Sequence, residues 1–184
     1  MGRSTNYVCC LGIQMIVLAS SIPFTLSQPS FTVNGDWIDQ VCKQTPFYDL
    51  CSSTLHSKPL GPKLDLQAAS LLMLKTILAN ATDTLSYIEG LIKDVSDRRL
   101  EQALAFCAES YIPIVKYILP QAADAINQRR FAFASYSFSS AVKNVNGCDK
   151  KSTALIRPLL GKRNSIVQNL VAVVTALIKL IPNT

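Results

Sequence analysis

The sequence predicts an all-α fold, an antiparallel four-helix bundle preceded by a disulfide-stapled α-helical hairpin. Two observations carry most of that prediction. Four long segments repeat their apolar residues every three or four positions, the helical period. The four cysteines beyond Ser27 fall as two sequence-local pairs, Cys42 with Cys51 and Cys107 with Cys148. Prolines and glycines between segments supply the breaks.

Residues 1–27 have the layout of a secretory signal. Arg3 precedes an apolar run from Tyr7 to Phe24, and small and polar residues lead to Ser27. Gln14, Ser20, Ser21 and Pro23 interrupt the run, which falls short of the roughly 20 apolar residues of a membrane span, so no membrane attachment is expected after cleavage. Cys9 and Cys10 leave with the signal, and the remaining thiols pair in an oxidising compartment. The full chain carries 18 Lys and Arg against 12 Asp and Glu, a net charge of +6; the signal removes only Arg3 from that excess. The positive charge is dispersed, which suits acidic partners or polyanions such as a demethylated polysaccharide. No aromatic residues interleave with it, and nucleic acid is not an expected partner.

The mature residues 28–184 suit one domain. Within it, 28–63 reads as the hairpin and its link. Asp36 to Gln44 and Phe47 to His56 are short helices turning at Thr45 and Pro46. Such helices are marginal alone. A Cys42–Cys51 bridge closes a loop of about ten residues and contributes about 2 to 3 kcal/mol, so a covalent staple is expected to stand in place of a core. Ser57 to Lys63, with Pro59, Gly61 and Pro62, reads as a link.

The bundle occupies 64–184. Asp65 is a plausible N-cap for a helix whose seam is Leu71, Leu74, Leu78, Ala81, Leu85, Ile88 and Ile92. It should end before Ser96 and Asp97, either of which can cap the next. The second seam is Leu100, Leu104, Cys107, Tyr111, Ile114 and Ile118; Pro113 and Pro120 should bend that helix or end it early. The third is Ala134, Phe138, Ala141, Val145 and Cys148, with Gly147 suggesting its end. A basic connection from Lys150 to Arg163, broken by Pro158 and Gly161, leads to a last helix on Ile166, Leu170, Val173, Leu177 and Leu180, widened by Val174 and Ile181. With Cys107 and Cys148 on seams, a bridge between them ties facing helices, and the spacing favours pairing first to second and third to fourth over the two other connectivities.

Catalysis finds no machinery in this pattern. The single His56 has no second histidine for a metal pair and reads as a surface residue. Glu109 and Asp124, fifteen residues apart on a proline-bearing helix, form no defined acid/base pair. No nucleophile elbow, phosphate loop or zinc spacing occurs, and neither cofactor nor metal is expected. A lipid or small-ligand carrier would need a hollow core, whereas regular seams predict a filled one.

Three stretches resemble one family. Cys42-Lys43-Gln44-Thr45-Pro46 through Cys51 resembles the C-K-x-T-P-x-x-x-x-C opening of plant invertase and pectin methylesterase inhibitors. Cys107-Ala108-Glu109-Ser110-Tyr111 resembles their C-x-E-x-Y helix. Ser139-Ser140-Ala141-Val142 through Cys148-Asp149 resembles their S-A-A-L run closing on C-x-D. The resemblance implies the same hairpin-plus-bundle fold, the same disulfide pairing, and a secreted inhibitor of the apoplast and cell wall, or of the vacuole. It would bind its target enzyme one to one, docking over the active-site cleft. Members resembling esterase inhibitors set one side of the bundle against the target; those resembling invertase inhibitors insert a Pro-Lys-Phe loop. This chain has Arg129-Arg130-Phe131 there, matching only the phenylalanine, and its uncharged lead into Cys148 is closer to the esterase inhibitors. Against that pattern, Gly147 stands where they often carry Thr, and Lys150-Lys151-Ser152 follows Asp149 without their usual aromatic. Pectin methylesterase is the expected target, with invertase (beta-fructofuranosidase) the alternative. Arg129, Arg130 and Phe131 are the expected anchors, unless they are a helix terminus with favourable cations and a core Phe. Glu109, Lys116 and Lys143 are expected rim contacts. Asn80-Ala81-Thr82 is a glycosylation sequon; if it is used, that face cannot dock.

Overall fold

Asp65 and Asp97 set the start of two bundle helices. In the computed structural model, which describes residues 35–57, 65–151 and 153–182, the Asp65 carboxylate accepts from the Ala68 amide at 2.7 Å and begins α3, Leu66–Asp94. The Asp97 carboxylate accepts from the Arg99 and Leu100 amides and begins α4, Arg98–Pro113. Each satisfies amides that a helix start leaves unpaired. The signal at 1–27, and the link beyond Ser57, lie outside the described residues.

The helix opened by Asp97 does not stop at its prolines. It passes through a π segment, Ile114–Ile118, into α5, Leu119–Asn127, continuous from Arg98 to Asn127. Pro113 and Pro120 cannot donate to the carbonyls of Glu109 and Lys116. The widened turn absorbs this by bonding five residues apart, the Leu119 amide donating to the Ile114 carbonyl.

Two further expectations are corrected. Helix α6, Phe131–Lys151, runs through Gly147 without ending, and α7, Thr153–Lys179, runs through Pro158 and Gly161 where a loop was expected. Burial explains both. Val145 and Cys148 lie on the inward face around Gly147, and Ile156 and Leu160 are fully buried on either side of Pro158. Packing of an apolar stripe outweighs local propensity.

Helices α3, α4–α5, α6 and α7 form the antiparallel bundle, each packing on the next and α7 closing on α3. Leu104, Cys107, Tyr111, Ile114, Phe138, Val173 and Leu177 fill it as expected. The α3 seam is rotated: Met73, Ile77 and Thr84 are buried, while Leu71, Leu78 and Ile92 are half-buried. A 3.6-residue helix drifts about 20° per heptad from a strict seam, and α3 is packed on several sides, against α2, α4–α5 and α7.

The hairpin is α1, Gly35–Cys42, and α2, Tyr48–His56. It is more than a stapled appendage. Trp37, Ile38, Val41 and Leu55 are buried in the common core, with α2 against α3 and α7. Both disulfides join the expected partners, Cys42–Cys51 within the hairpin and Cys107–Cys148 between α4 and α6. One cleft with an apolar lining, about 550 Å³, is an open groove along α6 and α7.

Candidate interaction surface

The turn from α5 to α6 is a Schellman motif. The Arg130 amide donates to the Ala125 carbonyl at 2.8 Å and the Arg129 amide to Ile126 at 3.0 Å. From α3, Gln67 also donates to the Ile126 carbonyl. The motif demands a left-handed residue after the helix, a place usually filled by glycine. Here Arg129 fills it at φ 57°, a conformation costing an ordinary residue roughly 1 to 2 kcal/mol.

The three residues of this turn divide. Arg129 and Arg130 are exposed; Phe131 is half-buried and packs on the core, with the Arg129 guanidinium 5.9 Å from its ring centre. The exposed aromatic at this turn is therefore not Phe131 but Phe133, two residues on, with the Arg130 guanidinium 5.4 Å from its ring centre.

Phe133 begins an aromatic face. Its ring lies 6.4 Å from that of Tyr136, and the exposures are 42% for Phe133, 71% for Tyr136 and 59% for Tyr117 on the neighbouring π segment. Helical register says which side of α6 this is. Phe133, Ser140 and Gly147 are seven apart and share a face, and Gly147 has the Phe106 ring of α4 4.0 Å from where its Cβ would stand. Phe133 therefore lies on the side of α6 that adjoins α4–α5. The seam arithmetic contained the signal: Phe133 and Tyr136 fall off the 134, 138, 141 stripe, yet are large aromatics.

A buried polar cluster ties three helices together toward the other end of α6. The Tyr111 hydroxyl of α4 donates to Asn164 Oδ1 of α7 at 2.6 Å. Asn164 donates to Asp149 Oδ1 and to Cys148 Sγ of α6. Gln168 donates to Asn146 Oδ1 and Asp149 Oδ2. Three helices meet at one fully buried amide. Burial, and then the nearby Asp149 charge, raise the Tyr111 phenol far above its ordinary value, so it stays a donor.

The expected rim residues are exposed but separated: Glu109 on α4, Lys116 on the π segment and Lys143 on α6. Asn80 is half-buried, its amide nitrogen donating to the Thr76 carbonyl at 2.9 Å, while Thr82 is exposed. His56 is exposed, as expected, and has a carboxylate partner, Asp39 Oδ1 at 3.5 Å, which also accepts from Tyr48 and Ser52. Partial desolvation would raise the Asp39 carboxyl; the hydrogen bonds from His56, Tyr48 and Ser52 outweigh it and hold the carboxyl below its ordinary value.

A sequence model for the family described as "Plant invertase/pectin methylesterase inhibitor" matches residues 36–177. A curated protein from Arabidopsis thaliana, "Cell wall / vacuolar inhibitor of fructosidase 1", is 36% identical over 94 residues, a stretch that covers 51% of this chain and 45% of that protein. Two crystal structures of Arabidopsis pectin methylesterase inhibitors share the fold. A mutant form superposes with TM-score 0.69 at 19% identity, covering 80% of this chain and 98% of its own. The second gives 0.61 at 20%, covering 81% and 98%.

Proposed function

Because the chain belongs to the plant invertase/pectin methylesterase inhibitor family, we propose that it is a secreted, non-catalytic inhibitor of pectin methylesterase that lays its α4–α6 face over the target's active-site cleft. The observation that carries this reading is the set of exposed aromatic and cationic side chains Arg129, Arg130, Phe133 and Tyr136, with Tyr117 exposed on the π segment packed against α6. Tyrosine and arginine are the side chains that concentrate binding energy at interfaces. A helix of the length of α6, 21 residues, spans about 30 Å. Two such helices side by side offer an area of the order of the 800 Å² per partner of a stable interface. Arg130 is already stacked on Phe133, which lowers the ordering cost on binding. Inhibition is by occlusion: the face covers the cleft and supplies no reacting group. One inhibitor per enzyme molecule fits a single face of this size.

Invertase is the second reading, favoured by the name of the 36% identical relative. Against it, Phe131, the only residue matching the inserted Pro-Lys-Phe loop, is half-buried against the core. The signal-like segment at 1–27 and that relative's name support secretion to the cell wall or delivery to the vacuole. Replacing Tyr136 by alanine tests the face. Inhibition of pectin methylesterase should weaken about tenfold or more at an unchanged thermal midpoint; equal inhibition by the variant would remove this face from the account.

A further inference from the structure

The basic stretch from Lys150 to Arg163 takes no part in the surface above, and its cations divide into two groups. Lys151 lies 5.0 Å from the centre of the Phe106 ring. Arg163 pairs with Asp83 and covers Tyr87. Lys150, Arg157 and Lys162 are all exposed, have no ion pair among the described residues, and line one cleft of about 600 Å³ with Gly161, Ser165 and Gln168. Asp149 also borders it, but its two carboxylate oxygens accept from Asn164 and Gln168. Gly161 fits this shape: a Cβ there would stand 3.3 Å from Arg157 Cγ, so glycine leaves room for the Arg157 stem despite a mid-helix cost of about 1 kcal/mol.

We infer that this cleft binds the carboxylates of a de-esterified polyuronate chain. Arg157 and Lys162 are five residues apart, about 7.5 Å along α7, with Lys150 supplied by the end of α6. Cations so spread match charges repeated along a chain, where one compact phosphate would need them convergent. The Ser165 hydroxyl and Gln168 amide beside them suit sugar hydroxyls. The choice of a polyuronate rests on the inhibitor reading, because removing methyl esters from pectin leaves this polyanion as product. The cleft lies at the opposite end of α6 from Arg129 to Phe133, about 30 Å away, so both surfaces can be occupied together. The inhibitor is thereby held where its target has already acted.

The test is direct binding of the oxidised mature chain, at physiological ionic strength, to three probes: a de-esterified galacturonate oligomer, its fully methyl-esterified counterpart, and polyglutamate. The de-esterified oligomer should bind at least tenfold more tightly than either other probe. The double variant Arg157→Gln, Lys162→Gln should lose about tenfold of that affinity, with an unchanged thermal midpoint and unchanged inhibition. If the double variant is not folded, Lys150→Gln alone must show a loss. Equal binding of polyglutamate or of the esterified oligomer, no binding, or full affinity in the variants each overturn the site. Inhibition is measured separately, so a failed tether leaves the docking reading standing, and the reverse.

Discussion

Arg129 holds a backbone conformation that L-residues avoid, at the turn where the α4–α6 face begins. Glycine there would relieve roughly 1 to 2 kcal/mol and return about 0.5 to 1 kcal/mol through a freer unfolded chain. Arg129→Gly should therefore raise the thermal midpoint by about 1 to 3 °C while weakening inhibition. A lower midpoint would mean that the arginine's contacts with Phe131 outweigh the strain. Asp97 carries a pH prediction. Hydrogen bonds from the Leu100 amide, then that of Arg99, hold its carboxyl below the ordinary 3.8. A depressed folded value means that the stabilisation is complete above 3.8 and is lost as pH falls through the lower folded value. Asp97→Asn should thus lower the midpoint at pH 6 more than at pH 2, and Asp39, depressed by its hairpin partners, should behave alike. A gap that does not shrink on acidification would contradict the capping account.

The elements separate what periodicity can predict from what it cannot. Capping aspartates, seams and cysteine spacing announced α3, α4 and the central part of α6, because each rests on contacts within a few residues. The continuation of α7 through Pro158, and of α4 into α5 through Pro113 and Pro120, was not legible. It depends on burial of Ile156 and Leu160 by other helices, and on a π turn that no residue pattern announces. The hairpin is the sharpest case. Sequence gave it a staple, and the fold adds Trp37, Ile38, Val41 and Leu55 to the core. Leu55→Ala should cost about 2 to 5 kcal/mol, comparable to or more than the roughly 2.7 kcal/mol of the ten-residue Cys42–Cys51 loop. Denaturant titration of Leu55→Ala beside the double variant Cys42→Ser, Cys51→Ser would decide; a negligible loss for Leu55→Ala would restore the appendage view. Asn164→Ala, which strands the Tyr111 hydroxyl and Asp149 Oδ1, should cost about 2 to 4 kcal/mol.

At the scale of the molecule, the proposed docking face is the long α4–α6 side of the bundle, and the Cys107–Cys148 bridge and the Asn164 cluster tie α4, α6 and α7 together toward the far end of α6. That bridge closes a loop of 41 residues, about 4 kcal/mol in the chain-entropy picture. Its reduction should loosen the face and the inhibition together. The proposed site was only partly legible from sequence. Arg129 and Arg130 could be named because a helix junction is a local feature. Tyr117, Phe133 and Tyr136 could not, because which side of a helix stays open is decided by its neighbours. The central claim, that this face occludes pectin methylesterase, is tested most directly by assaying the purified oxidised protein side by side against a pectin methylesterase and against cell-wall and vacuolar invertases, with Tyr136→Ala in parallel. The account predicts inhibition of the esterase that Tyr136→Ala weakens about tenfold or more, with the invertases unaffected. Inhibition of an invertase alone, or of neither enzyme, would contradict it.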